Sequence, residues 1–125
     1  MDNIYSQEIL YHYRNQPNKK KLKKATAKGN SVNLSCGDEI SVELLVEDGI
    51  IEDVGYNPNG CVISAGSISM LSDYLIGKKV SEAEKLTPQD VLSLINVPLS
   101  PSRENCALMG YNSVKSALEG VSSKR

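Results

Sequence analysis

The sequence predicts an α+β fold: a three-stranded antiparallel sheet packed against several helices. Three observations carry this expectation. Consecutive runs between 31 and 56 alternate apolar and polar residues, turn residues sit at both joints, and the flanking segments show helical spacing or helix caps. At 125 residues, 40% of them hydrophobic, the chain can bury one core, so a single domain over 1–125 is expected. Trp and Phe are absent and six Tyr are the only aromatics, which calls for an aliphatic core and argues against a cofactor held by aromatic stacking.

From about Ile4 to Arg14, Tyr5, Ile9, His12 and Tyr13 recur at helical spacing, with Asn3 as a cap and Asn15-Gln16-Pro17-Asn18 as the stop. His12 reads as a packing or hydrogen-bonding residue rather than a metal ligand. The run Lys19-Lys20-Lys21-Leu22-Lys23-Lys24, closed by Lys28-Gly29-Asn30, has no apolar period. Residues 19–29 therefore read as a solvated basic loop, with a docking patch for an acidic partner or RNA as the alternative. Strands are expected over Ser31–Cys36, Glu39–Val46 and Gly49–Tyr56, joined at Gly37-Asp38 and Asp48-Gly49.

Asn57-Pro58-Asn59-Gly60 ends the meander and delivers Cys61 to a second helix, about Cys61–Ile76, whose first turns are small residues. Ser81-Glu82-Ala83-Glu84 and Thr87-Pro88-Gln89-Asp90 both have capping-box form, predicting short helices over Glu82–Leu86 and Pro88–Ile95. A last helix, about Arg103–Glu119, places Ala107, Tyr111, Val114 and Leu118 on one stripe, with Cys106 in or just after its first turn. Residues 121–125 read as a short flexible tail.

Several function classes are disfavoured. A formal charge of -1 gives no global attraction to nucleic acid. No stretch approaches the roughly 18 apolar residues of a membrane span, and no apolar signal region follows Asp2, so a cytoplasmic location is expected. Three cysteines, an odd number, favour free thiols over a disulfide framework.

On this reading each cysteine ends an element: Cys36 where the first strand meets its turn, Cys61 and Cys106 near helix starts. Unpaired N–H groups and the macrodipole at a helix start favour a thiolate. Element ends are also where a sheet with helices on one face brings side chains together. With Asp38, three thiolates and a carboxylate form a set suited to tetrahedral zinc or to iron in a cluster. The competing reading treats each Cys as a small buried apolar residue. It accounts for Cys106 beside Ala107 and Leu108, but not for three cysteines at element ends, two of them next to glycine.

Cys36-Gly37-Asp38, Gly60-Cys61-Val62-Ile63-Ser64 and Arg103-Glu104-Asn105-Cys106-Ala107 resemble the iron–sulfur cluster assembly scaffold family, the IscU, SufU and NifU N-terminal group. The opening from Ile4-Tyr5 to His12-Tyr13-Arg14-Asn15-Gln16-Pro17-Asn18 is similar to that family's first helix and turn. The resemblance implies the same α+β fold and a surface site of Cys36, Asp38, Cys61 and Cys106 that holds a [2Fe-2S] cluster or iron, or alternatively zinc. It implies sulfur accepted from a cysteine desulfurase, with Cys106 or Cys61 as acceptor, and clusters passed to apoproteins by a monomer or a weak cluster-bridged dimer. Asp38 would tune cluster release. The alternative within the family is a zinc-dependent sulfurtransferase of the SufU type.

Two departures make the chain a mosaic. Asn105 stands where the IscU branch has histidine, and Leu99-Ser100-Pro101-Ser102-Arg103 keeps only the outline of that branch's Hsp70-recognition stretch, which weakens the case for a chaperone partner. The Ile-Ser and Ser-Ile-Ser-Met pattern after Cys61 leans toward SufU, but the interval from Cys61 to Cys106 looks too short for the insertion of Gram-positive SufU proteins.

Overall fold

A computed structural model describes residues 7–33, 37–96 and 99–123. The expected α+β architecture is present. A meander of β1 (Ala27–Asn33), β2 (Asp38–Glu47) and β3 (Ile50–Asn59) forms an antiparallel sheet in the order β1-β2-β3. The helices are α1 (Gln7–Asn15), α2 (Val62–Leu75), α3 (Val80–Glu84), α4 (Pro88–Ile95), α5 (Pro101–Ala107) and α6 (Met109–Ser123). Among the described residues no helix is long and apolar enough to cross a membrane.

The β2–β3 turn follows directly from sequence. Asp48 and Gly49 both adopt positive φ, 53° and 76°, the arrangement whose twist matches a two-residue hairpin. Ile40, Val42 and Leu44 alternate into the core from β2. On β3 the buried side chains are Ile51, Val54 and Tyr56, and the three-residue step from 51 to 54 breaks the alternation. A bulge accounts for it: Leu45 pairs with Asp53 and Val46 with Ile51, leaving Glu52 as the extra residue.

Helix α2 lies in the centre of the molecule, buried from Ile63 to Ser72. Its small residues let the sheet, α1, α5 and α6 approach together. Along α1, Ile9 is the buried residue, and polar contacts with α2 join it: His12 Nδ1 lies 2.7 Å from Ser69 Oγ, and Asn18, beyond the helix, donates through Nδ2 to Ser72 Oγ (2.8 Å) and Asp73 Oδ1 (2.7 Å). Burial pushes the nearby Tyr56 hydroxyl above its usual pKa of 10.0, and the Asp73 carboxylate adds to the shift.

Four sequence expectations need correction. The first strand starts at Ala27 rather than Ser31 and takes in Lys28, Gly29 and Asn30, because α6 packs over Gly29. The last helix is two helices, broken at Leu108, whose N–H closes on the Glu104 carbonyl (3.0 Å) while Asn112 N–H starts the next turn on the Leu108 carbonyl (2.9 Å). The Ala107, Tyr111, Val114 and Leu118 stripe is nonetheless buried, and α6 continues through Ser123, into the stretch expected as a tail. Finally, Ser81 does not cap α3. Lys79 is the cap residue, because residues 78–80 are held against β3: Ile51 N–H donates to the Lys78 carbonyl and Val80 N–H to the Gly49 carbonyl, both at 2.8 Å. Thr87 does form its capping box with Asp90.

Candidate metal and sulfur site

Asp38, Cys61 and Cys106 converge. One ligand atom from each, a carboxylate oxygen and two Sγ atoms, all lie within 4.8 Å of one another. Each arrives from a different element. Asp38 opens β2 directly after Gly37, which turns the chain at φ 77°. Cys61 is the N-cap residue of α2, extended at φ −78° and ψ 176°, and its side chain makes no capping hydrogen bond. Its thiol is thus left exposed at the helix start, as the sequence suggested.

Cys106 differs from expectation. It is the second-to-last residue of α5, half-buried, so the helix-start electrostatics apply to Cys61 and not to Cys106. The cause is the break at Leu108, which ends α5 one residue after Cys106, while the start at Pro101, the first helical position, moves Cys106 further from the helix start. Cys36 lies outside the described residues. His12 is not part of the cluster. It sits against Ser69, and eight residues of α2 between Cys61 and Ser69 span about 12 Å.

Two further residues shape the site. Ser64, fully buried, places its hydroxyl 3.1 Å from the Cys61 carbonyl, to which it donates, and 3.6 Å from Cys61 Sγ. Gly60 leaves the space these groups need: a Cβ there would collide with Ser64 Oγ and lie 2.9 Å from Asp38 Oδ2. The Cys61 N–H points to the same carboxylate oxygen at 3.4 Å. The sequence marked Gly60 only as the end of a turn and Ser64 only as one of the small residues in the first helical turns. A serine three residues after an N-cap, on the cap's own face, is the signal that identifies the contact.

Thiolates with one carboxylate are the donor chemistry of zinc and iron sites, softer sulfur joined to harder oxygen. Zn–S bonds near 2.3 Å set ligand atoms about 3.8 Å apart in a tetrahedron, about 1 Å closer than the 4.8 Å within which these three lie. The residues present fit such a guest.

Comparison with known proteins gives the chain a family. The family model for the NifU-like N-terminal domain matches residues 4–125. The iron–sulfur cluster assembly scaffold protein IscU of Thermotoga maritima is 32% identical, over 95% of this chain and 95% of that protein. Escherichia coli K12 IscU is 27% identical, over 97% and 96%. Among solved structures, one from Fervidobacterium islandicum AW-1, described as an iron–sulfur cluster assembly scaffold protein for the SUF system, superimposes with TM-score 0.78 at 27% identity, covering 92% of this chain and 96% of that one. The N-terminal part of a Brucella abortus NifU-like protein shares the fold, with TM-score 0.79 at 17% identity over 98% and 96%. From its sequence, its fold and the placement of its thiols, the chain belongs to the NifU-like N-terminal domain family.

Proposed function

We propose that this protein is an iron–sulfur cluster assembly scaffold: it accepts sulfur from a cysteine desulfurase, holds a labile [2Fe-2S] cluster as cargo, and passes it to apoproteins. The observation that carries the reading is the meeting of Asp38, Cys61 and Cys106 within 4.8 Å at one end of the sheet. Cys36, two residues before Asp38 in sequence, is proposed as the fourth member.

Sulfur enters by thiolate attack. A cysteine Sγ of the scaffold, Cys61 or Cys106, attacks the outer sulfur of the donor's persulfide; the donor S–S bond breaks, the donor leaves as a thiolate, and a new persulfide forms on the scaffold. Two electrons from an external reductant then convert that sulfur to sulfide. Cys61 is exposed and Cys106 half-buried, and mass spectrometry after single-turnover transfer reports which one carries the extra sulfur.

Release depends on Asp38. An oxygen ligand among sulfurs is the exchangeable corner of the site. Asp38→Ala is therefore expected to lengthen the half-life of a reconstituted cluster several-fold, followed by its visible absorbance under chelator challenge; faster loss would sink the lability role. Cys36→Ser is expected to lower bound metal, and unchanged metal content would remove Cys36 from the site.

The scaffold reading is tested by anaerobic reconstitution with a cysteine desulfurase, iron and cysteine. A chromophore that forms and moves to apo-ferredoxin supports it. If zinc resists displacement while desulfurase turnover rises on adding the protein, the chain is a sulfurtransferase instead.

A further inference from the structure

Six of the 14 Lys and Arg residues fall between 19 and 28, a stretch with no Asp or Glu, while the rest of the chain holds eight basic residues against 15 acidic ones. Sequence alone reads the run as a solvated loop. The structure lays it as a strap across the sheet face turned away from the helices. Lys19 bridges in parallel to Tyr56, Lys20 Nζ lies 2.9 Å from Asp53 Oδ1, and Leu22 N–H donates to Glu43 Oε1 at 2.9 Å. Gly55 permits the crossing, since the Lys20 carbonyl and the Leu22 side chain fill the place of a Cβ.

Beside the strap is a cavity of about 780 Å³, lined by Lys19, Lys20, Lys21 and Lys28, by residues of all three strands, and by Ser116 of α6. Its own acid is already engaged: Glu43 accepts from Leu22 N–H and pairs with Lys28 at 3.5 Å. Among the described residues, Lys19 and Lys21 have no carboxylate at ion-pair distance. The cavity thus carries lysines over a lining that joins the small polar groups of Asn30, Ser41 and Asn57 to apolar surface at Val42 and Tyr56.

Strand register gives it a direction. Outward-facing rows run Lys28–Glu43–Gly55, then Asn30–Ser41–Asn57, then Val32–Glu39–Asn59, and Asn59 directly precedes Gly60 and Cys61. Ser41 is three residues, about 10 Å, from Asp38. Val32, 50% exposed, is an apolar foothold on the last row.

We propose that this groove seats an acidic, extended segment of a protein partner and steers that partner to the cysteine end of the sheet. Several separated lysines suit several carboxylates spaced along a chain. Lysine also binds phosphate, as a point charge, but the lining has no arginine to supply the bidentate fork that favours compact phosphate recognition. Electrostatic guidance of this kind raises association rates and fixes register. That the partner delivers sulfur or receives a cluster rests on the scaffold reading; the groove itself does not.

The probe is a short fluorescent peptide with glutamate at alternate positions, titrated by anisotropy. Lys19→Glu/Lys21→Glu is expected to weaken binding about tenfold or more, whereas Lys23→Glu/Lys24→Glu, which changes net charge equally but lies off the cavity, shifts it less than about twofold. Equal losses in both variants would reduce the effect to net charge and overturn the groove. Displacement of the peptide by equimolar polyphosphate or oligoribonucleotide would overturn its occupant. Loading with iron and sulfide in the absence of any partner is expected to be identical in both variants, so failure of the groove and failure of the scaffold reading are separately visible.

Discussion

Gly29→Ala is expected to lower the unfolding free energy by about 3 kcal/mol, the upper end of the cost of overpacking a core. A Cβ at 29 would overlap the Ser113 carbonyl oxygen and lie 2.8 Å from the Ala117 amide nitrogen. Both are backbone atoms of α6, so no side chain can swing aside and the helix must shift as a body. That shift would pull Ser113, whose hydroxyl lies 2.9 Å from the Ile40 carbonyl, away from β2, and would open the contact at fully buried Ala117. With a urea m-value of about 1–3 kcal/mol/M, the midpoint should fall by about 1 M or more. Gly120→Ala is the control: the same helix, open space around the new methyl, and a gain of up to about 1 kcal/mol from helix propensity. A Gly29→Ala midpoint equal to the parent's would show that β1 and α6 are not packed as described.

Gly60→Ala should do the opposite, leaving the fold and damaging the site. The groups its Cβ would strike, Ser64 Oγ and the Asp38 carboxylate, are side-chain ends that can rotate away. Rotation relieves the clash but removes Asp38 from the cluster and breaks the Ser64 contact with Cys61. Zinc affinity, measured on the apo protein against a competing chelator, is expected to fall about ten- to a hundredfold, the usual cost of losing groups that orient ligands. The melting temperature should drop by no more than about 4 °C, corresponding to about 1 kcal/mol for a domain of this size. Unchanged zinc affinity would mean that Asp38 and Ser64 do not hold the site in its binding geometry.

Features that local chemistry decides were legible in sequence. Asp48-Gly49 specified its turn, Thr87-Pro88-Gln89-Asp90 specified a capped helix, and the alternation of Ile40, Val42 and Leu44 specified a buried face. Features that distant packing decides were not. Ser81 had a capping box available, but pairing of residues 78–80 with β3 moved the helix start two residues earlier. Lys28-Gly29-Asn30 looked like the end of a loop because nothing local shows that a helix some 85 residues later needs a bare backbone there. Element ends suggested that the cysteines could meet, and Asp38 entered only through Cys36, which lies outside the described residues; Asp38, Cys61 and Cys106 do lie together. The place of Cys106 near the end of α5 was not legible, because the helix starts two residues before the expected Arg103 and breaks at Leu108.

Because Asp38 belongs to the sheet, Cys61 to α2 and Cys106 to α5, whatever bonds to all three is also a crosslink between layers of the fold. Thermodynamic linkage then ties cargo to stability: a guest at a hundred times its dissociation constant, bound only by the folded chain, adds about 2.7 kcal/mol against unfolding. The relation runs both ways. Whatever loosens the seam between β2, α2 and α5 weakens the grip on the guest by the same free energy, so a recipient protein can draw out the cluster by prying the layers apart as well as by offering better ligands.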